Sequence, residues 1–150
     1  MKTLDSNVIM QIGIVVRDIE AAAKRYAALF GVEPSPVRNV FPNITYRGRK
    51  VRPKAKICAF QMGSVTLELV EPDDTPTSWK EYLDNKGEGV HHLGVMVNDL
   101  DDAMNVLAEN GISARQAGGA GWGSYTLVES EEQLGVVYNI KCNDPWPEND

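Results

Sequence analysis

Gly89-Val90-His91-His92-Leu93-Gly94-Val95-Met96-Val97-Asn98-Asp99-Leu100 contains both histidines of the chain, and an earlier stretch, Met10 to Ile19, echoes it. Set with Gln11 against His92, the two run together without a gap. Ile12 falls on Leu93, Gly13 on Gly94, Ile14 on Val95, Val16 on Val97, Asp18 on Asp99 and Ile19 on Leu100. The chain reads as one module written twice.

In the first copy Met10, Ile12, Ile14 and Val16 alternate with Gln11, Gly13 and Val15, the period of a strand covered on one face. A helix follows, with Asp18 as N-cap and Ile19, Ala22, Ala23, Tyr26, Leu29 and Phe30 at helical spacing until Gly31 stops it. Ala55–Met62 and Val65–Glu71 read as a hairpin around Gly63-Ser64, and the second strand carries Glu68 with Thr66 and Val70 opposite Val65, Leu67 and Leu69. A short helix near 77–86 links to the second copy: a strand Val90–Val97, a helix capped by Asp99 and ended by Gly111, then strands Ile112–Gln116, Trp122–Glu129 and Val136–Lys141. The Gly-rich segment Ala117–Gly123 reads as a break between strands.

The resulting class is α+β, a single domain over 1–150 made of modules at about 8–72 and 89–142. Each is a βαβββ unit with too little core to stand comfortably alone. Pairing them gives a curved eight-stranded mixed sheet with helices outside and a concave inner face. Repeating the alignment at the module ends sets Val65-Thr66-Leu67-Glu68-Leu69 over Val136-Val137-Tyr138-Asn139-Ile140. Gln11, Glu68, His92 and Asn139 then all point into the concavity, while strict alternation turns His91 the other way.

Six of the fifteen basic residues fall between Arg47 and Lys56, in a chain of net charge -6. This Gly48- and Pro53-containing segment, with Tyr46, Arg47, Arg49, Lys50 and Arg52, reads as a flap: either a solvated loop or a clamp for an anionic ligand. Trp122 is either a stacking platform for a planar ligand or rim packing. The acidic balance argues against nonspecific nucleic-acid binding, Cys58 and Cys142 make no disulfide framework, and no apolar run approaches the roughly 20 residues of a membrane helix. A cytoplasmic protein is expected.

The doubled module, with His-Leu-Gly-Val from His92 and Leu-Glu-Leu-Val-Glu-Pro from Leu67, resembles the vicinal oxygen chelate superfamily of glyoxalase I, methylmalonyl-CoA epimerase, bleomycin-resistance and extradiol dioxygenase proteins. The likeness covers about residues 8–141 and is nearest to the epimerase-like and glyoxalase-like branch. It implies that Gln11, Glu68, His92 and Asn139 bind a divalent metal (Ni, Co, Zn, Mn or Mg), with Asn139 standing where a glutamate is expected. A homodimer is expected, the resemblance allowing the modules to pair within one chain or across the dimer, together with a small substrate that the basic flap marks as anionic.

An amide brings no charge and cannot act as a base near neutral pH, so Glu68 is left as the candidate base. Two functions remain open. One is a glyoxalase-like isomerase, epimerase or lyase acting on a small carbonyl compound or acyl thioester by metal-assisted proton transfer. The other is a metal-free ligand-binding protein of the sequestration type, in which Gln11 and Asn139 are hydrogen-bonding partners. A dioxygenase iron site wants a second histidine on the metal's side, and the alternation denies it one.

Overall fold

The computed structural model describes residues 2–120 and 123–143. In chain order they form β1 (Ile9–Val15), α1 (Ile19–Phe30), β2 (Arg38–Val40), β3 (Ile44–Tyr46), β4 (Arg49–Val51), β5 (Ala55–Met62) and β6 (Val65–Pro72). There follow α2 (Ser78–Lys86), β7 (Gly89–Val97), α3 (Leu100–Glu109), β8 (Ala114–Ala120), β9 (Gly123–Val128), α4 (Glu131–Leu134) and β10 (Val137–Cys142). The strands make one curled mixed sheet, ordered β2-β5-β6-β1-β7-β10-β9-β8-β3-β4. The sheet has ten strands where the sequence pattern suggests eight.

The two extra strands come from the basic flap. β3 and β4 form a hairpin, and β3 pairs with β8, at the far end of the sheet from β2. Residues 41–43 therefore carry the chain from one end of the sheet to the other. β8 also runs through Gly118 and Gly119 to Ala120, because the β9 register takes them as partners of Tyr125 and Ser124. Gly118 stays a strand residue because Ile44 and Tyr125 fill the space a side chain would need.

Asp18 and Asp99 cap α1 and α3 by accepting from the backbone N–H of Ala21 and Asp102. α1 covers Ile12, Ile14, Phe60, Leu67 and Leu69, and α3 covers Val97, Val128, Ile140 and Cys142. The alternate residues face the other way. There Val15, Val70 and Ala55 pack with Trp79 and Leu83 of α2, which closes one end of the concave face. Among the described residues no helix is long and apolar enough to cross a membrane.

The repeat is visible at the seam where β1 meets β7 in antiparallel register. Gln11 lies opposite Gly94, Ile12 opposite Leu93 and Gly13 opposite His92, so a pseudo-twofold axis runs between Ile12 and Leu93. β6 flanks β1 in parallel with Glu68 beside Gly13, and β10 flanks β7 in parallel with Asn139 beside Gly94.

Candidate functional site

The two glycines at this seam decide what converges there. A Cβ on Gly13 would lie 2.0 Å from Cε1 of His92, and one on Gly94 would lie 2.8 Å from Cβ of Gln11. Lacking side chains, they let the His92 imidazole and the Gln11 amide lie across the neighbouring strand toward Glu68 and Asn139. Gln11 Oε1 accepts from Asn139 Nδ2 at 3.2 Å and lies 3.1 Å from His92 Nε2. Gln11 Nε2 donates to Glu68 Oε2 at 3.4 Å, and Glu68 Oε1 is 4.0 Å from His92 Nε2. All four side chains belong to one chain and to four adjacent strands.

Gln11, His92 and Asn139 are buried, while the Glu68 side chain keeps 26% of its surface exposed, which makes it the member of the quartet nearest solvent. Burial raises the Glu68 carboxyl above its usual range, opposed by the positive charges of Lys141 and Arg38. Burial also pushes His92 well below the ordinary imidazole value, helped by His91 and Lys141, so its ring is neutral. Lys141 is lowered by burial and raised in turn by Glu68. Two residues beyond Asn139 on β10, it shares that residue's face and lies across from Tyr125. Lys141 is absent from the residues selected on sequence, although the same alternation that selects Asn139 also selects it.

His91 is the correction. Pairing passes from Gly13 with His92 directly to Ile14 with Val90, so His91 is the extra residue of a β-bulge, and the bulge cancels the alternation that would turn it away. Its Nδ1 lies 2.8 Å from His92 Nδ1, and its Nε2 lies 2.8 Å from Ser78 Oγ at the start of α2. Burial and the Arg115 charge depress His91 to about 3.

The flap residues divide. Tyr46 hydrogen-bonds Glu81, and Arg47 bonds Glu81 at 2.9 Å and Glu129 at 2.7 Å, so Arg47 is committed to an internal ion network that Arg115 joins through Glu129 and Glu131. Arg52 donates to the Phe41 carbonyl at 3.4 Å. Arg49 pairs across β4 with Tyr46, and Lys50 with Thr45. Trp122 lies outside the described residues.

Among the described residues no three His, Cys, Asp or Glu side chains gather to hold a metal. The quartet offers one imidazole, one carboxylate and two amide oxygens instead, a set suited to a hard or borderline divalent cation. One observation makes the fit positive: Asn139 Oδ1 is buried with no hydrogen-bond partner, a spare acceptor on a member of the quartet.

The profile of the Glyoxalase/Bleomycin resistance protein/Dioxygenase superfamily matches residues 10–126. The uncharacterized protein YqjC of Bacillus subtilis (strain 168) is 29% identical over 92 residues, 58% of this chain and 64% of that protein, so the match spans somewhat under two thirds of the relative's length. Among solved structures, methylmalonyl-CoA epimerase from Mycobacterium tuberculosis superposes with a TM-score of 0.69 at 20% identity, over 97% of this chain and 93% of that one. A single-residue variant of the Streptomyces coelicolor methylmalonyl-CoA epimerase, in complex with 2-nitronate-propionyl-CoA, does so with a TM-score of 0.69 at 21% identity, over 95% and 100%. At these identities the likeness is one of fold.

Proposed function

Because the chain belongs to the Glyoxalase/Bleomycin resistance protein/Dioxygenase superfamily, we propose that the quartet is the active site of an isomerase, epimerase or lyase that moves a proton at the carbon beside a carbonyl, in a small carbonyl compound or acyl thioester. The observation that carries this reading is the convergence of Glu68, His92 and Asn139 on Gln11 from four adjacent strands, with Asn139 Oδ1 left unpartnered.

Glu68 is the base. It is the one carboxylate of the quartet and its member nearest solvent, where a substrate can reach it. A divalent cation held by Gln11, Glu68, His92 and Asn139 would supply the Lewis acidity that stabilises an enolate. The Lys141 and Arg38 charges, both felt at Glu68, offset negative charge that builds on the substrate. Neutral His92 presents an uncharged nitrogen, which suits cation binding. Asn139 holds and orients without moving a proton. Arg49 and Lys50 of the basic β3–β4 hairpin receive an anionic part of the substrate through their charge.

The test is solvent-deuterium incorporation at the alpha carbon of methylmalonyl-CoA and of a 2-oxoaldehyde–thiol adduct, with magnesium, manganese, cobalt or nickel present. Exchange is expected with one compound class and should fall by about 100-fold or more in Glu68→Gln. Exchange that persists undiminished in that variant overturns Glu68 as the base.

The amide at 139 favours a second reading, a ligand-binding protein without chemistry, because Gln11, His92 and Asn139 already bond to one another. Tight binding of an anionic or aromatic compound in a thermal-shift screen, with no exchange at any of its carbons, would select it.

A further inference from the structure

Neutral imidazole carries one N–H and one lone pair, so two neutral rings that meet nitrogen to nitrogen cannot choose their tautomers independently. His91 Nδ1 and His92 Nδ1 are 2.8 Å apart with the rings at 89°. Both rings are buried, so no water separates the two nitrogens at that distance. One proton therefore sits between them. Two arrangements satisfy the contact. In the first, His92 carries its proton on Nε2 and gives it to Gln11 Oε1, His91 Nδ1–H donates to His92 Nδ1, and the Ser78 hydroxyl donates to His91 Nε2. In the second, His92 Nδ1–H donates to His91 Nδ1, His91 Nε2–H donates to Ser78 Oγ, and the lone pair of His92 Nε2 faces Gln11 and Glu68.

We propose that His91 and Ser78 are positioning residues that set the tautomer of His92: the two histidines exchange tautomers as a unit when a cation takes the His92 Nε2 lone pair. The surroundings permit both states. Ser78 Oγ has two lone pairs, one of which receives Arg115 Nη1 at 3.4 Å. The Ser78 hydroxyl and His91 border a polar cavity of about 170 Å³, also lined by Tyr82, Glu81 and Glu131, with room for the acceptor that the Ser78 proton needs in the second state. A second partner that fixes the nitrogen opposite a metal is the common means of orienting an imidazole ligand. Here that partner is another histidine, brought into place by the bulge.

This inference rests on the quartet being a cation site, but its test separates the two. The full chain, labelled with nitrogen-15 in histidine, is titrated with zinc, and tautomers are read from long-range proton–nitrogen correlations. Expected is a through-hydrogen-bond nitrogen–nitrogen coupling between the rings without metal, with His92 protonated at Nε2 and His91 at Nδ1. Zinc should move both rings to the opposite tautomer at the same stoichiometry. A His92 signal that shifts while His91 keeps its tautomer overturns the inference and leaves the cation site standing. If zinc leaves His92 untouched, the cation reading fails, and the metal-free spectrum decides alone: complementary tautomers with the coupling support the linked pair, and independent tautomers end it. His91→Phe should weaken zinc binding about 10- to 100-fold, whereas His91→Gln, which can both donate and accept, should recover most of it; equal affinities in both variants and the wild type contradict the role.

Discussion

The two halves of the sheet meet as near-copies, each offering a polar residue and a glycine across the seam, yet they are furnished differently. The first half supplies Gln11 and the carboxylate Glu68, and sends the β3–β4 hairpin across to the second. The second supplies His92 and the amide Asn139, and although each half has a bulge one residue before its polar residue, at Met10 and at His91, only the second fills it with an imidazole. The shared parts, Gly13 and Gly94 with their flanking strands, make the room. The unshared parts decide the chemistry, because only one half brings an acid and only the other an imidazole.

The symmetry breaks most sharply at the glycines. Gly13→Ala puts a methyl group into the His92 ring at 2.0 Å and should cost about 3 kcal/mol in urea denaturation, displacing the histidine. Gly94→Ala meets Gln11 at 2.8 Å and should cost about 1 kcal/mol. Equal costs would mean that the halves do not differ in how tightly they hold their polar residue.

The pH dependence sharpens the contrast between imidazole and carboxylate. Both histidines are depressed in the folded chain, His91 to about 3, so unfolded chains take up protons near 6.5 while folded ones do not. The His91 contribution is complete above pH 6.5 and drains as pH falls toward 3, by up to about 1.4 kcal/mol per unit, and that of His92 has the same sign. Glu68, raised by burial, has the opposite sign: its cost is absent below 4.5 and grows as pH rises toward its folded value. Stability measured from pH 7 to 4 should therefore decline less steeply in His91→Phe than in the wild type. Parallel slopes would contradict a buried, neutral His91.

The smallest effect belongs to the flap. Arg47 is 45% exposed and bonded to Glu81 and Glu129, so Arg47→Gln should cost under about 1 kcal/mol, and high salt should shrink the difference further. A large loss of ligand affinity in that variant would return Arg47 to the substrate.

What is legible in the sequence follows from this division. Capping by Asp18 and Asp99, the apolar stripes under α1 and α3, and the matched positions of Gln11, Glu68, His92 and Asn139 are local or periodic signals, and each survives in the structure. His91 escapes such a reading because a bulge changes the period by one residue without changing composition. The β3–β4 hairpin looks like a loop in sequence because its pairing with β8 joins residues about seventy positions apart, which periodicity does not register. The strand through Gly118 and Gly119 is hidden for a related reason: glycine there answers to Ile44 and Tyr125, not to a turn. Ser78, which reaches His91 from α2, and Arg115, which reaches Ser78 from β8, belong to the same long-range class.

The central claim is that Gln11, Glu68, His92 and Asn139 act as one cation-binding site, and calorimetric titration of manganese or cobalt into the wild type, Glu68→Gln and Asn139→Glu tests it most directly. One ion per chain is expected, bound more weakly in Glu68→Gln and more tightly in Asn139→Glu, which restores charge symmetry between the halves. No binding to either the wild type or Asn139→Glu, with Asn139→Glu destabilised by its buried charge, would contradict it.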